Sequence, residues 1–287
     1  MKFGVVCTIL AALGLMAAAK ARQQAPEREE ASSAGAIVRQ SIERNKLNEA
    51  RLKDYAYTES QETRTLDRSG AVVKTERKAF DVVSLYGRPY KRLVSKDGRA
   101  LAGKEKQKAD EEYEKEFRKR NGETEKQRQE LAAEQEKARA DSRRFLQEIP
   151  KAYNFQLAGE ETLEGMPVWV IDAAPRADFR SSVKRADLLK KMRGRLWIDK
   201  ASLQWVRAEV ELTEPISFGG FLAKLDRGAR MTFLQQHVNG EVWLPVKMAA
   251  RIEARFLIKH YSLATETTWS NYRKFRVDSH ILAEPQP

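Results

Sequence analysis

The sequence predicts an α+β fold that is mainly β: an antiparallel, mostly meandering sheet of about 11 strands, with one helix in front and one charged helical insertion. Three observations carry this. Apolar and polar residues alternate with period two through the second half, as in strands that bury one face. Turn signals separate these runs, Asn239-Gly240 being the clearest. Residues 104–148 instead hold thirteen basic and thirteen acidic residues in forty-five, with no proline, which suits a solvated helical segment.

The elements follow in order. Lys2 precedes an apolar run from Phe3 to Ala19, with Ala-x-Ala cleavage sites at Ala17–Ala19 and Ala19–Ala21, so residues 1–21 read as a secretory signal peptide. The run is shorter than the ~20 residues of a membrane-spanning helix. Residues 22–32 read as a flexible N-terminus, and 33–287 as a single domain. Ser32 or Ser33 caps a helix to about Leu52, with Ile37, Val38 and Ile42 inward. Strands are expected at 54–66, 72–77, 80–86 and 90–95. Asn121-Gly122 then divides the charged segment into a helical hairpin by a left-handed cap. Leu131, Ala138 and Phe145 recur every seven residues, too few for a coiled coil.

The second half returns to strands. Val206, Ala208, Val210 and Leu212 share one predicted face, with Arg207, Glu209 and Glu211 on the other. Val246, Met248, Ala250, Ile252, Ala254 and Phe256 repeat the pattern. A short helix at 187–193 is stopped by Gly194, and a last strand covers 264–277. The loop Pro215–Gly228 is unusually apolar; Gly219-Gly220 permits a bend, and Phe218, Phe221, Leu222 and Leu225 make it a candidate flap.

Catalytic signatures do not emerge. His237, His260 and His280 lack metal-ligand spacing, and no serine-nucleophile elbow, phosphate-cradling loop or Ser-x-x-Lys is present. Acidic pairs such as Glu160-Glu161 and Glu209/Glu211 offer carboxylates of the kind glycosidases use, but a charged strand face is ordinarily just solvated. The single cysteine, Cys7, lies in the signal peptide and too early for a lipid anchor, so thiol chemistry and cysteine metal sites drop out of the exported chain. The expectation is a non-enzyme without cofactors, soluble and periplasmic, with no nucleic-acid partner despite a formal charge of +12. An apolar cavity needs no motif: about twelve buried methylenes return on the order of 10 kcal/mol before ordering costs.

One stretch, Gly194-Arg195-Leu196-Trp197-Ile198-Asp199, is followed by the strand Leu203–Glu211 and later by Gly240-Glu241-Val242-Trp243-Leu244-Pro245. Together with the signal peptide, the amphipathic helix and the Tyr/Thr-rich first strand, it resembles the periplasmic lipoprotein-carrier (outer-membrane lipoprotein-sorting) superfamily of LolA-, LolB- and RseB-like proteins. The resemblance implies a strongly curved sheet, an unclosed half-barrel of eleven strands whose apolar interior is covered by helices. It also implies an acylated lipoprotein or lipid as ligand, transient membrane contact, and no nucleotide or metal. The expected ligand-lining residues are Val206, Ala208, Val210, Leu212, Met248, Ile252 and Phe256. The charged segment 104–148 departs from the family plan; the alternative function is that of a regulator or scaffold binding an envelope protein through it.

Overall fold

A computed structural model describes residues 33–52, 54–218 and 222–274. The expected signal peptide and flexible N-terminus, Gly219, Gly220, Phe221, and the end of the last strand with His280 lie outside the described residues.

Helix α1 (Ala34–Leu52) leads into β1 (Tyr55–Leu66), β2 (Val72–Leu85), β3 (Arg88–Lys96) and the short β4 (Arg99–Ala100). Two helices follow, α2 (Gly103–Asn121) and α3 (Glu125–Ala152). Then come β5 (Tyr153–Leu163), β6 (Met166–Pro175), a 3-10 helix (Ala186–Lys191), β7 (Met192–Asp199) and β8 (Trp205–Leu212). The chain ends with β9 (Ile216–Phe218), β10 (Ala223–Leu225), β11 (Arg230–Val238), β12 (Val242–Phe256) and β13 (Lys259–Lys274).

The strands form one 13-stranded antiparallel sheet in the order β4-β3-β2-β1-β13-β12-β11-β8-β7-β6-β5, with β9 and β10 branching from β12. It does not close: β4 and β5 are its two ends. The predicted class is therefore correct, mainly β with an unclosed antiparallel sheet and a few helices. The count exceeds eleven because β4, β9 and β10 are strands of two or three residues, below what alternation can reveal. Residues 72–85 form one strand where two were expected, bent by an irregularity at Ala79/Phe80 against β3.

Helix α1 runs across the strands on one face, here termed inner. Its first turn approaches Phe155 on β5. Near its end, Asn48 donates to Gln204 (2.8 Å) and accepts from the Trp243 amide at the start of β12 (3.2 Å). Ile37, Val38 and Ile42 pack with Ile149 and Ala152 of α3 on Ile171, Leu196 and Ala208. The cross-strand register explains where this core stops. The rung Ile171–Leu196–Ala208–Phe233–Met248 is apolar, but its continuation Thr267–Gln61–Lys78 is polar. The buried layer thus occupies the β5–β12 half of the sheet.

The charged segment folds as two helices that meet at Gly122, which ends α2 at φ −82°, not in the left-handed region expected for its cap. Thr124 opens α3 with a capping box: its hydroxyl accepts from the Gln127 amide, while the Gln127 side chain accepts from the Thr124 amide. The junction is fastened to the β2–β3 turn. Buried Arg120 donates to the carbonyls of Leu85 (3.1 Å) and Arg88 (2.9 Å), and Arg88 pairs with Glu123 at 2.5 Å. At its other end Phe145, Leu146 and Ile149 join the core. Most positions between these anchors are solvated, so α3 is a strut from the β2–β3 turn to β5.

Candidate functional site

The loop Pro215–Gly228 forms a small antiparallel hairpin, β9–β10, laid against β12. Leu225 pairs with Ile216 on one side and Ala254 on the other. Ile216 and Leu225 are buried with Val210, Leu212, Met231, Met248, Ala250 and Ile252, and half-buried Phe218 packs beside them. The hairpin thus continues the β8–β11 pair along β12, and its Ile216 and Leu225 extend the apolar patch of the inner face. Its base is tied: the Thr213 amide donates to the Lys191 carbonyl (2.8 Å), the Asp226 amide to Glu253 (2.8 Å) and the Gly228 amide to Leu212 (2.8 Å). Between flap and sheet remains an apolar space of about 20 Å³, lined by Met192, Val210, Leu212, Leu225, Ala229 and Ile252 among others. That is room for roughly one water-sized probe, too little for an acyl chain.

The expected lining residues divide. Val210, Leu212, Met248 and Ile252 come together beside the flap. Ala208 belongs to the same face but packs under α1. Val206 lies elsewhere, buried with Val168, Val170, Trp197 and Trp243. A register irregularity between Trp197 and Ile198 opposite β8 breaks the alternation, pairing Arg207 with Trp197 and Trp205 with Ile198. Trp205 takes the inner position and meets Phe233 at 4.8 Å. Phe256, at the far end of β12, is exposed. In the flap, Leu225 is buried, Phe218 is half-buried, Leu222 is exposed, and Phe221 lies outside the described residues.

Alternation missed Met192, Ile216, Ala229 and Met231, which complete the patch. Met231 was visible as a strand residue, but only its pairing with Val210 and Ala250 assigns its face. The expected 187–193 helix is instead a 3-10 helix ending at Lys191, which frees Met192 to begin β7 and enter the patch.

The polar half of the inner face centres on Glu59. It is buried and its carboxylate accepts from Lys91 (2.5 and 2.7 Å), Gln61 (2.5 Å) and Trp269 Nε1 (3.2 Å). Burial pushes the neighbouring Tyr57 phenol up to about 12.

The opposite face carries a charged groove of about 730 Å³. Asp172 takes two bonds from Arg195 (2.6 and 2.9 Å), and Glu211 pairs with Arg193 (3.0 Å) and Arg230 (3.5 Å). The Arg193 hydrogen bond, aided by Arg230, holds the Glu211 carboxyl below the usual carboxylate range. The other carboxylates considered for acid/base work are also engaged: Glu160 with Lys200, Glu161 with Trp197 Nε1 (2.9 Å) and Glu209 with Arg207. His237 stacks on Trp243 at 5.4 Å. Among the described residues no cluster of three His, Cys, Asp or Glu could hold a metal, and no helix is long and apolar enough to cross a membrane.

No family model and no curated protein matches the chain. Among solved structures it is similar to a DUF1329 family protein from Desulfovibrio piger, at 14% identity and a TM-score of 0.34, covering 86% of this chain and 95% of that one. It is also similar to a domain from Vibrio parahaemolyticus described as an outer membrane lipoprotein-sorting protein, at 11% identity and a TM-score of 0.30, covering 85% and 95%. A LolA superfamily protein from Nitrosomonas europaea is similar at 12% identity and a TM-score of 0.27, covering 85% and 94%.

Proposed function

We infer that the chain is a non-enzymatic binding protein of the periplasm that holds the acyl chains of a lipoprotein or lipid between the inner face and the flap. The cargo class and the role in outer-membrane lipoprotein sorting come from the resemblance read in the sequence. The observation that carries the binding mode is the flap itself: a hairpin of two three-residue strands whose Ile216 and Leu225 are buried beside Val210, Leu212, Met231 and Ile252, leaving a space of only about 20 Å³ among them.

Loading is then an exchange of apolar partners. Lifting the flap gives up the burial of Ile216 and Leu225 and half that of Phe218, about 4–7 kcal/mol at 1.5–3 kcal/mol per fully buried side chain. About twelve acyl methylenes return on the order of 10 kcal/mol gross. The two terms are of the same order, which suits a carrier that must release its cargo. A tighter cavity or a looser flap would favour one end state.

The solvated middle of α3 favours a second reading, a regulator whose partner binds this arm. Native mass spectrometry of protein recovered gently from the periplasm separates the two. An acyl mass that leaves on denaturation supports the carrier and identifies its cargo. A bare mass, unchanged after incubation with lipids, overturns it in favour of the protein-binding reading.

A further inference from the structure

The β12–β13 hairpin projects beyond β1 on one side, while β10 accompanies it to Phe256 on the other. The last β1 residue, Leu66, pairs with Ser262, so Lys259, His260 and Tyr261 continue past β1 before the turn. Phe256 pairs with Lys259, leaving Leu257-Ile258 as a two-residue turn. Such turns favour Asn-Gly or Asp-Gly because one or both central residues need positive φ. Here Leu257 stands at φ +54°, and Ile258 is 90% exposed. Two large apolar residues thus occupy the tip at a conformational cost that turn formation does not require.

The surroundings share this character. The Leu257 amide donates to the Leu222 carbonyl (2.9 Å), placing the flap's exposed leucine beside the tip. Val72 and Val73, also exposed, follow the β1–β2 turn at the same end of the sheet, with Val72 opposite Leu66. Of nine exposed large apolar side chains among the described residues, these three and Phe256, Leu257 and Ile258 all lie here. Basic residues ring them: Lys224, Arg227, Arg255 and Lys259, against Asp226 and Glu253. Lys224 pairs with Asp226 (3.1 Å); among the described residues no ion pair engages Arg227, Arg255 or Lys259.

We propose that this end of the sheet docks on an anionic phospholipid surface, with Leu257 and Ile258 entering the interface and the surrounding lysine and arginine side chains meeting lipid phosphates. The occupant follows from charge and shape. A convex apolar tip with a basic rim matches the acyl boundary and anionic headgroups of a bilayer, where each Lys or Arg near the surface adds to the apolar contribution. The inference stands on the hairpin alone and does not depend on what lies beneath the flap.

The test is vesicle flotation of the exported, processed chain with liposomes of phosphatidylethanolamine and phosphatidylglycerol, and with phosphatidylcholine alone. The variant Leu257→Gly/Ile258→Asn puts glycine at the positive-φ position and so favours this turn, and its melting temperature should not fall. It should lose about tenfold in partitioning to anionic vesicles. Arg255→Glu/Lys259→Glu should abolish the preference for anionic over neutral lipid and leave the circular dichroism unchanged. Equal partitioning of the Gly-Asn variant and the wild type overturns the proposal. So does a wild type that ignores both vesicles, or a tip substitution that instead converts a dimer to a monomer.

Discussion

Leu225→Ala tests whether the flap is a lid or part of the global core. Leu225 is buried against Val210, Leu212, Met231 and Ile252, and its truncation leaves a cavity next to the existing small void. Loss of a buried leucine costs about 2–5 kcal/mol in a core that cannot collapse. The short flap can settle partway, so the lower end, about 2–3 kcal/mol, is expected. If the flap opens separately, this energy comes out of its closing equilibrium, and the open population rises roughly 30- to 160-fold. Hydrogen exchange should report that acceleration at the amides of Lys224, Leu225 and Leu257. These amides should exchange through an opening with a small denaturant dependence, whereas the amides of Leu196 and Ile198, in strand β7 under α1, should show the larger protection and full denaturant dependence of global unfolding. The urea midpoint should fall as well, because the closed state is the reference for both openings. Flap amides with the same protection and the same denaturant dependence as the β7 amides would show a flap inseparable from the core and refute the reasoning.

Three further outcomes follow from the geometry. Arg120→Met removes the donor to the Leu85 and Arg88 carbonyls and should release the α2–α3 junction, exposing residues 104–124 to protease before global unfolding, at a cost of about 2–3 kcal/mol. Asn48→Leu orphans the Gln204 side chain and the Trp243 amide and should lower stability by about 1–3 kcal/mol, read as a reduced denaturant midpoint. Acid should destabilise through carboxylates held below their ordinary values by arginine hydrogen bonds: Glu62 by Arg77, Asp110 by Arg92, Glu116 by Arg120 and Glu211 by Arg193. Their folded values lie below the unfolded ones, so their contribution is complete above about pH 5 and fades as pH falls through the folded values. The midpoint should be flat from pH 6 to 8 with respect to these groups and drop below about pH 4, less steeply in Glu211→Gln.

The sheet was legible where one face is buried and the other wet. Alternation at Met248, Ala250 and Ile252 assigned their face correctly, as did Ala208, Val210 and Leu212 in β8. It failed at Val206 because a bulge moves two residues against one, and no single-strand pattern encodes the register of its neighbour. The Asn239-Gly240 turn was readable from its residue types, with both at positive φ. Leu257-Ile258 was not, since it contradicts turn chemistry outright. The apolar loop 215–228 stood out by composition, yet only the pairing of β10 with β12 shows where it lies. Asn48 and Glu59 gave no signal, because a buried polar group is defined by partners distant in sequence.

A disulfide across the flap tests the central claim most directly. Leu225 and Ala254 are register partners on β10 and β12, and the chain's single cysteine is Cys7, so Leu225→Cys/Ala254→Cys in a protein of residues 22–287 introduces one bridge with no competing thiol. Binding of a fluorescent long-chain acyl probe would be measured on this variant oxidised and after reduction. Acyl loading under a movable flap predicts little binding in the oxidised form and recovery with reductant. Equal binding in both forms would contradict it, because the probe would then be held somewhere the flap does not guard.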